Sequence, residues 1–367
     1  MADFAFKRQE KADESLETTR VVPLTCHGHT RPISHLAFSP LQNASAQAAQ
    51  ISPQYYLVSA CKDNNPMLRD GASGDWIGTF VGHKGAVWNT RLSDDATLAA
   101  TGSADFSARV WDTFTGECLW ELQHNHIVRC VAWAPGPRPA ILATAGMEKR
   151  LRIWDLSGGV GGTGQNTNGD ANGAPNGTAN AALNTHQPPS YELGAGEHGG
   201  AIKSIVWSHA DPSILITAAD DKKIRWWDLH TRSCIASYDL DGLPTSCELN
   251  ASPNGDPAGI ISVAAGKNVY FFMGSHPGHL LKHIKTERDV ASVALGSSGR
   301  FITGSPNDTW VHVWDFETGK EVENGKGHHG PVWTTAYSPD GSIYATGSED
   351  GTIKLWKACE GGYGLWR

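Results

Sequence analysis

The stretch TGSADFSARVWD, residues 101–112, decides the fold because the chain repeats it. Related copies read TAGMEKRLRIWD (144–155), TAADDKKIRWWD (217–228), TGSPNDTWVHVWD (303–315) and TGSEDGTIKLWK (346–357). Each opens on Thr, places an acid four or five residues on, and reaches Trp ten or eleven residues on. The residues before the Trp alternate in character, as in Ile353, Lys354, Leu355 and Trp356, which is the period of a β-strand. Each copy therefore reads as two short strands joined by a tight turn that carries the acid.

Outward from this motif, Arg69 closes a related stretch, DNNPMLR (63–69). The closing positions 69, 111, 154, 227, 314 and 356 lie 42, 43, 73, 87 and 42 residues apart. The interval of 87 holds two units, with a degenerate copy, SVAAGKNVYFF (262–272), that puts Phe272 in the place of Trp. The interval of 73 holds one unit plus an insertion at 157–190, a Gly/Asn/Ala-rich tract with few apolar side chains to bury, expected to be disordered. Seven units of about 42 residues match the period of four-stranded propeller blades.

Within each unit, strand a follows a His, strand b ends near Ser or Thr, and strand c ends in Trp. Strand d is found after the first six units, as WIGTFVG, CLWELQH, SYELGAG, CIASYDL, LLKHIKT and EVENGKG. The seventh has none after Trp356, whereas VVPLTC (21–26) precedes the first unit without a blade of its own. Pairing the two predicts an all-β, seven-bladed β-propeller whose N-terminal strand closes the ring on the last blade and removes the open sheet edges. The expected organisation is a disordered arm over 1–20, the propeller over 21–357 and a tail over 358–367.

Composition agrees with this reading and excludes others. The 41 glycines suit many tight turns, and the 14 tryptophans suit a repeated aromatic position. A net charge of −8 provides no global field for a polyanion, so direct nucleic-acid binding is not expected. The seven cysteines are odd in number, scattered and never in C-x-x-C spacing, which argues for reduced thiols and against a disulfide framework or a zinc site. The charged N-terminal stretch reads as neither signal peptide nor membrane anchor. No phosphate-binding loop is present, and Asn176-Gly-Thr178 matches a glycosylation acceptor in a chain that nothing directs to secretion. Neither a cofactor nor a metal is expected, and His126, His230 and His329 lack ligand spacing with a second donor.

The residues that resemble catalytic machinery come in sets: His83, Thr101, Asp105 and Trp111; His198, Thr217, Asp221 and Trp227; His328, Thr346, Asp350 and Trp356. Ser/Thr, His and Asp are the ingredients of a nucleophilic triad. A catalytic site needs one copy in a pocket, however, and repetition favours a structural hydrogen-bond network. Incomplete sets follow: His29, Ser59 and Asp63 without Trp; His124 and Thr144 with Glu148; Thr303, Asp308 and Trp314 without His; and Ser262, Gly266 and Phe272 in the most eroded unit. Units two, four and seven thus read as regular, and units one, five and six as eroded.

The Gly-His and Trp-Asp pairs, in this order over residues 21–357, resemble the WD-repeat family. That resemblance implies a propeller in which the turn Asp bonds the His, the His bonds the strand b hydroxyl, and the hydroxyl accepts from the Trp indole. HTRPISHLAFS (29–39), SACKDNNPMLRDGASGDWIGTFVGHKGAVW (59–88) and YGLWR (363–367) are similar to a narrower group within it, the receptor-associated, Unr-interacting adaptors. The narrower resemblance implies a non-catalytic adaptor of the cytoplasm and nucleus, associated with the survival-of-motor-neuron complex in spliceosomal ribonucleoprotein assembly. An Unr-like RNA-binding protein and growth-factor receptor signalling are further implied contacts. GH-x-GAVW and TGSAD also resemble the propeller subunit of translation initiation factor three, the alternative reading, and a hydrolase is the remote one.

In such a ring the d-to-a and b-to-c connections share the top rim, and the a-to-b and c-to-d connections the bottom. The 157–190 insertion and the loop at 41–54 both fall on the bottom, which directs partners to the top. Residues just before each turn acid, Lys62, Met147, Asp220, Asn307 and Glu349, and residues early in strand a, Trp88, Arg129, Lys203 and Trp333, are the top-face candidates. Tyr363, Leu365 and Trp366 form an apolar cluster in the tail, expected to dock on the last blade or to hook a partner. The chain is expected to be a monomer within a larger protein complex, without membrane contact.

Overall fold

The computed structural model describes residues 22–42, 55–158 and 187–359. The arm at 1–20, most of the segments at 41–54 and 157–190, and the tail cluster of Tyr363, Leu365 and Trp366 lie outside the described residues.

The described residues form 28 strands arranged as seven four-stranded antiparallel sheets, a seven-bladed propeller. Six blades run a-b-c-d in chain order, spanning 33–79, 87–123, 128–193, 202–239, 244–285 and 292–326. The seventh combines β26 (Val332–Tyr337), β27 (Ile343–Ser348) and β28 (Ile353–Lys357) with β1 (Leu24–Cys26). Leu24 pairs with Leu355, Thr25 with Lys354 and Cys26 with Ile353, so β1 covers the edge of β28. The strands on either side of residues 159–186, Leu151–Asp155 and Ser190–Leu193, pair directly with each other.

Because strand side chains alternate between faces, each blade can feed two cores. The apolar interior is accordingly divided into seven clusters, one at each junction between adjacent blades. In blade three, Val131, Leu142 and Trp154 face blade two, whereas Ala143, Ala145 and Ile153 face blade four. The closing Trp of strand c faces the preceding blade: Trp111 packs with Phe80 of blade one, and Trp227 joins the cluster that contains Leu193 of blade three.

The seam between blades seven and one is built differently, since the strand before it is β1, only three residues long. Arg69 stands there in place of Trp, 3% exposed, and donates to the carbonyls of His27 (2.5 Å) and Gly74 (3.1 Å). The guanidinium thus ties down the chain just beyond the closing strand, a task an indole with one N–H could not perform twice.

Candidate functional site

The repeated polar sets have diverged more than their sequences suggest. In blade two, His83 joins Asp105 (2.8 Å) and Thr101 (2.7 Å), and the Trp111 indole donates to Thr101 (2.9 Å). Blade seven repeats this with His328 to Asp350 (3.2 Å), His328 to Thr346 (2.8 Å) and Trp356 to Thr346 (2.8 Å). Thr101 and Thr346 are fully buried, so each hydroxyl is committed within the protein and closed to a substrate.

Blade four departs from the expected complete set. Trp227 donates to Thr217 (2.8 Å), but Arg225 pairs with Asp221 (2.8 Å) and takes the acid away from His198. His198 lies against the Trp227 ring with its Nε2 buried and unbonded, and burial, then Arg225, depress its pKa to about 4. Blade three shows the same competition, with Arg152 on Glu148 at 2.8 Å and His124 farther off at 3.7 Å. Blade six recovers part of the missing histidine from strand c itself, where His312 reaches Asp308 (3.1 Å) and Glu321 (2.8 Å). Blade five also needs correction. Phe272 pairs with Ile261, which puts Val263 where the other blades have Ser or Thr; Ser262 faces blade six and donates to Val293 O (3.2 Å).

His29, Cys61 and Asp63 bring together atoms of the type that ligate metals. Both His29 nitrogens are occupied, by Asp63 (2.9 Å) and Ser59 (2.8 Å). Cys61 stands where blades two and seven have Ser103 and Ser348, and it donates to Arg31 O as those serines donate to Gly85 O and Gly330 O. Burial pushes its thiol up to about 12, which keeps it protonated as the donor to Arg31 O. The trio is one of the repeat's bonding sets with sulfur in place of oxygen.

The top-face candidates are positioned by a shared irregularity. In six blades the register of strand a against strand b slips by one residue, leaving Ser34, Trp88, Arg129, Lys203, Thr245 and Trp333 unpaired. Such a bulge re-aims its side chain, and all six line one cavity of about 350 Å³ at the top mouth of the central channel. Lys62 lines it as well. Arg129 lies 3.8 Å above the Trp88 ring centre, and Lys62 lies 5.6 Å from the same ring. Lys203 pairs with Asp220 (3.2 Å), and the Trp333 indole donates to Glu349 (2.5 Å), so the strand a and turn residues meet within one blade. Met147 is exposed but outside the cavity lining, and Asn307 turns outward to Asp289 (2.8 Å).

Below this chamber the channel is crossed by a cluster absent from the sequence-based expectations. Glu248 of blade five meets Arg91 of blade two at 2.5 Å and His35 of blade one at 3.2 Å. Burial alone would raise the Glu248 pKa, but Arg91 and His35 outweigh it and hold the carboxyl near 2. Burial, then Arg91, lower that of His35. Beneath the cluster lies a second cavity of about 580 Å³, walled by a-to-b connections such as Ser39-Pro40 and Ser338-Pro339. A signal for the cluster existed in the repeat. Arg91 and Glu248 occupy equivalent strand a positions, pairing with Ala100 and Ser262, where the other blades carry Ala37, Ala132, Val206, Ala294 and Ala336.

The WD domain, G-beta repeat, family matches at residues 74–112, 116–155, 191–228 and 319–357. The chain is 38% identical to the serine-threonine kinase receptor-associated protein of Gallus gallus, over 95% of this chain and 86% of that one. The corresponding protein of Dictyostelium discoideum is 36% identical over 91% and 98%. Eukaryotic translation initiation factor 3 subunit I of Culex quinquefasciatus is more distant, 27% identical over 91% and 95%. Seven blades, six of them with a full or partial bonding set, together with likeness across nearly the whole chain, make this a WD-repeat protein that belongs to the serine-threonine kinase receptor-associated protein family.

Proposed function

We propose that the chain is a non-catalytic protein-interaction scaffold that engages partners through the top mouth of its channel. The observation that carries this reading is the convergence of Trp88, Arg129, Lys203 and Trp333 on one cavity by strand bulges. Trp and Arg are the residue types most enriched at interface hot spots. The buried, committed hydroxyls of the repeated sets support a role without catalysis.

The finer assignment is to an adaptor in ribonucleoprotein assembly, working with survival-of-motor-neuron components in the cytoplasm and nucleus. Its support is the family likeness and the SACKD-x-x-PMLR segment, whose Arg69 seals the ring. Affinity purification of the full chain from cell extract tests it. Sm-assembly proteins are expected to copurify, and to be lost with Trp333→Ala. Stoichiometric recovery of core initiation-factor subunits in their place would overturn the assignment.

A further inference from the structure

The chamber above the Glu248 cluster is unevenly satisfied. Among the described residues, Lys62 and Arg129 have no carboxylate within salt-bridge distance; their contacts are with the face of Trp88. Inside, the Trp88 indole N–H and the hydroxyls of Ser292 and Thr335 are buried without a partner. Ser292 is 4% and Thr335 3% exposed, so both hydroxyls are largely removed from bulk water. Buried polar groups are normally paired, and the Trp88 N–H and two hydroxyls, beside an unpartnered His35 Nδ1, offer donors on one cavity to an acceptor. The carboxylate at the chamber floor, Glu248, is already held by Arg91 and His35. The cations at the mouth and the donors within therefore select the same kind of visitor.

We infer that this chamber receives an acidic side chain, Asp or Glu, projected by a loop or extended segment of a partner protein. The inference rests on the reading of the top face as the partner surface and adds the chemistry of what enters. About 350 Å³ lies near the lower end of the range for ligand pockets, about 300–1,000 Å³, and suits a single side chain with its neighbours better than a polymer. Asp220 and Glu349 flank the entrance through their bonds to Lys203 and Trp333. They would repel the successive phosphates of a nucleic acid, as would the net charge of −8, while one acid can pass between them. The exposed face of Trp333 offers contact to an apolar residue beside the acid.

Selection of random dodecapeptides displayed on phage against the immobilised full chain tests this. The recovered peptides should share an Asp or Glu next to an apolar residue. Replacing that acid by Asn or Gln in the synthetic peptide should weaken binding about ten-fold, as loss of a charge-assisted hydrogen bond implies. Arg129→Ala should do the same and Arg129→Lys should restore part of the affinity; Lys203→Ala supplies a second variant, each checked for an unchanged melting temperature. Recovery of no peptides, of peptides without acid, or of binders indifferent to both variants would overturn the inference, as would retention of oligouridine RNA lost in the same variants. If acid preference fails while Trp333→Ala still releases the cellular partners, the inference falls and the face assignment stands. If Trp333→Ala releases nothing, the face assignment falls.

Discussion

Thr217 and Thr346 hold equivalent places in blades four and seven, yet the histidines above them are bonded differently. His328 is fixed on both nitrogens, so His328→Leu takes one partner each from Thr346 and Asp350 and should cost about 1–3 kcal/mol in urea unfolding. His198 has one buried nitrogen with no partner, so His198→Leu should cost less than His328→Leu, and equal losses would show that blade four keeps a complete set. Acid titrates both. Burial, then Arg152 in one case and Arg225 in the other, depress His124 and His198 to about 4, and burial does the same for His328 despite Asp350. Their unfolded values lie near 6.5, so between about pH 6.5 and 4 the unfolded chain binds more protons and stability is lost as the pH is lowered. Asp63 and Asp350, held near 2 by hydrogen bonds that outweigh burial, extend the decline below about pH 4. A urea midpoint that stays level from pH 7 down to 4 would contradict this. The identities of these residues could be read from the repeat, but the capture of Asp221 by Arg225 could not, because an arginine two residues before Trp also occurs in blade two, where Arg109 turns to Glu121 instead.

Strands and turns were legible wherever hydrophobic alternation and the Thr-to-Trp spacing coincided. Blade five lost that spacing, since Val263 and Phe272 lie only nine residues apart and nothing local marks the one-residue difference that turns Ser262 to the other face. Close packing between elements left a weaker trace. Gly194 ends the strand Ser190–Leu193 at φ +61°, and a Cβ there would come within 2.0 Å of the Trp227 ring of the next blade. Gly116, at φ +73°, faces open space. Gly194→Ala should therefore cost about 2–4 kcal/mol, strain and overpacking together, and Gly116→Ala about 1 kcal/mol. Similar thermal shifts for the two variants would argue against this blade contact.

Across the whole molecule, the Glu248–Arg91–His35 cluster ties blade five to blades one and two, neither of them its neighbour in the ring. Removing Glu248 leaves Arg91 facing the channel without its partner, so Glu248→Ala should lower stability by about 2 kcal/mol or more. The Arg91→Ala/Glu248→Ala pair should lose less than the sum of the single variants, by about 1 kcal/mol in a double-mutant cycle. Strict additivity would mean that the cross-channel pair contributes nothing. The ring itself was legible from seven periods and a spare strand, whereas this crossing depends on which inward positions face each other across the axis, a relation no linear spacing records. Ring closure also bears on how the protein is made. Lys354 donates to Thr25, 329 residues away, so β1 leaves the ribosome long before the strand it must pair with. Until that moment the growing chain carries an unpaired edge that a chaperone, or another nascent copy, is free to occupy.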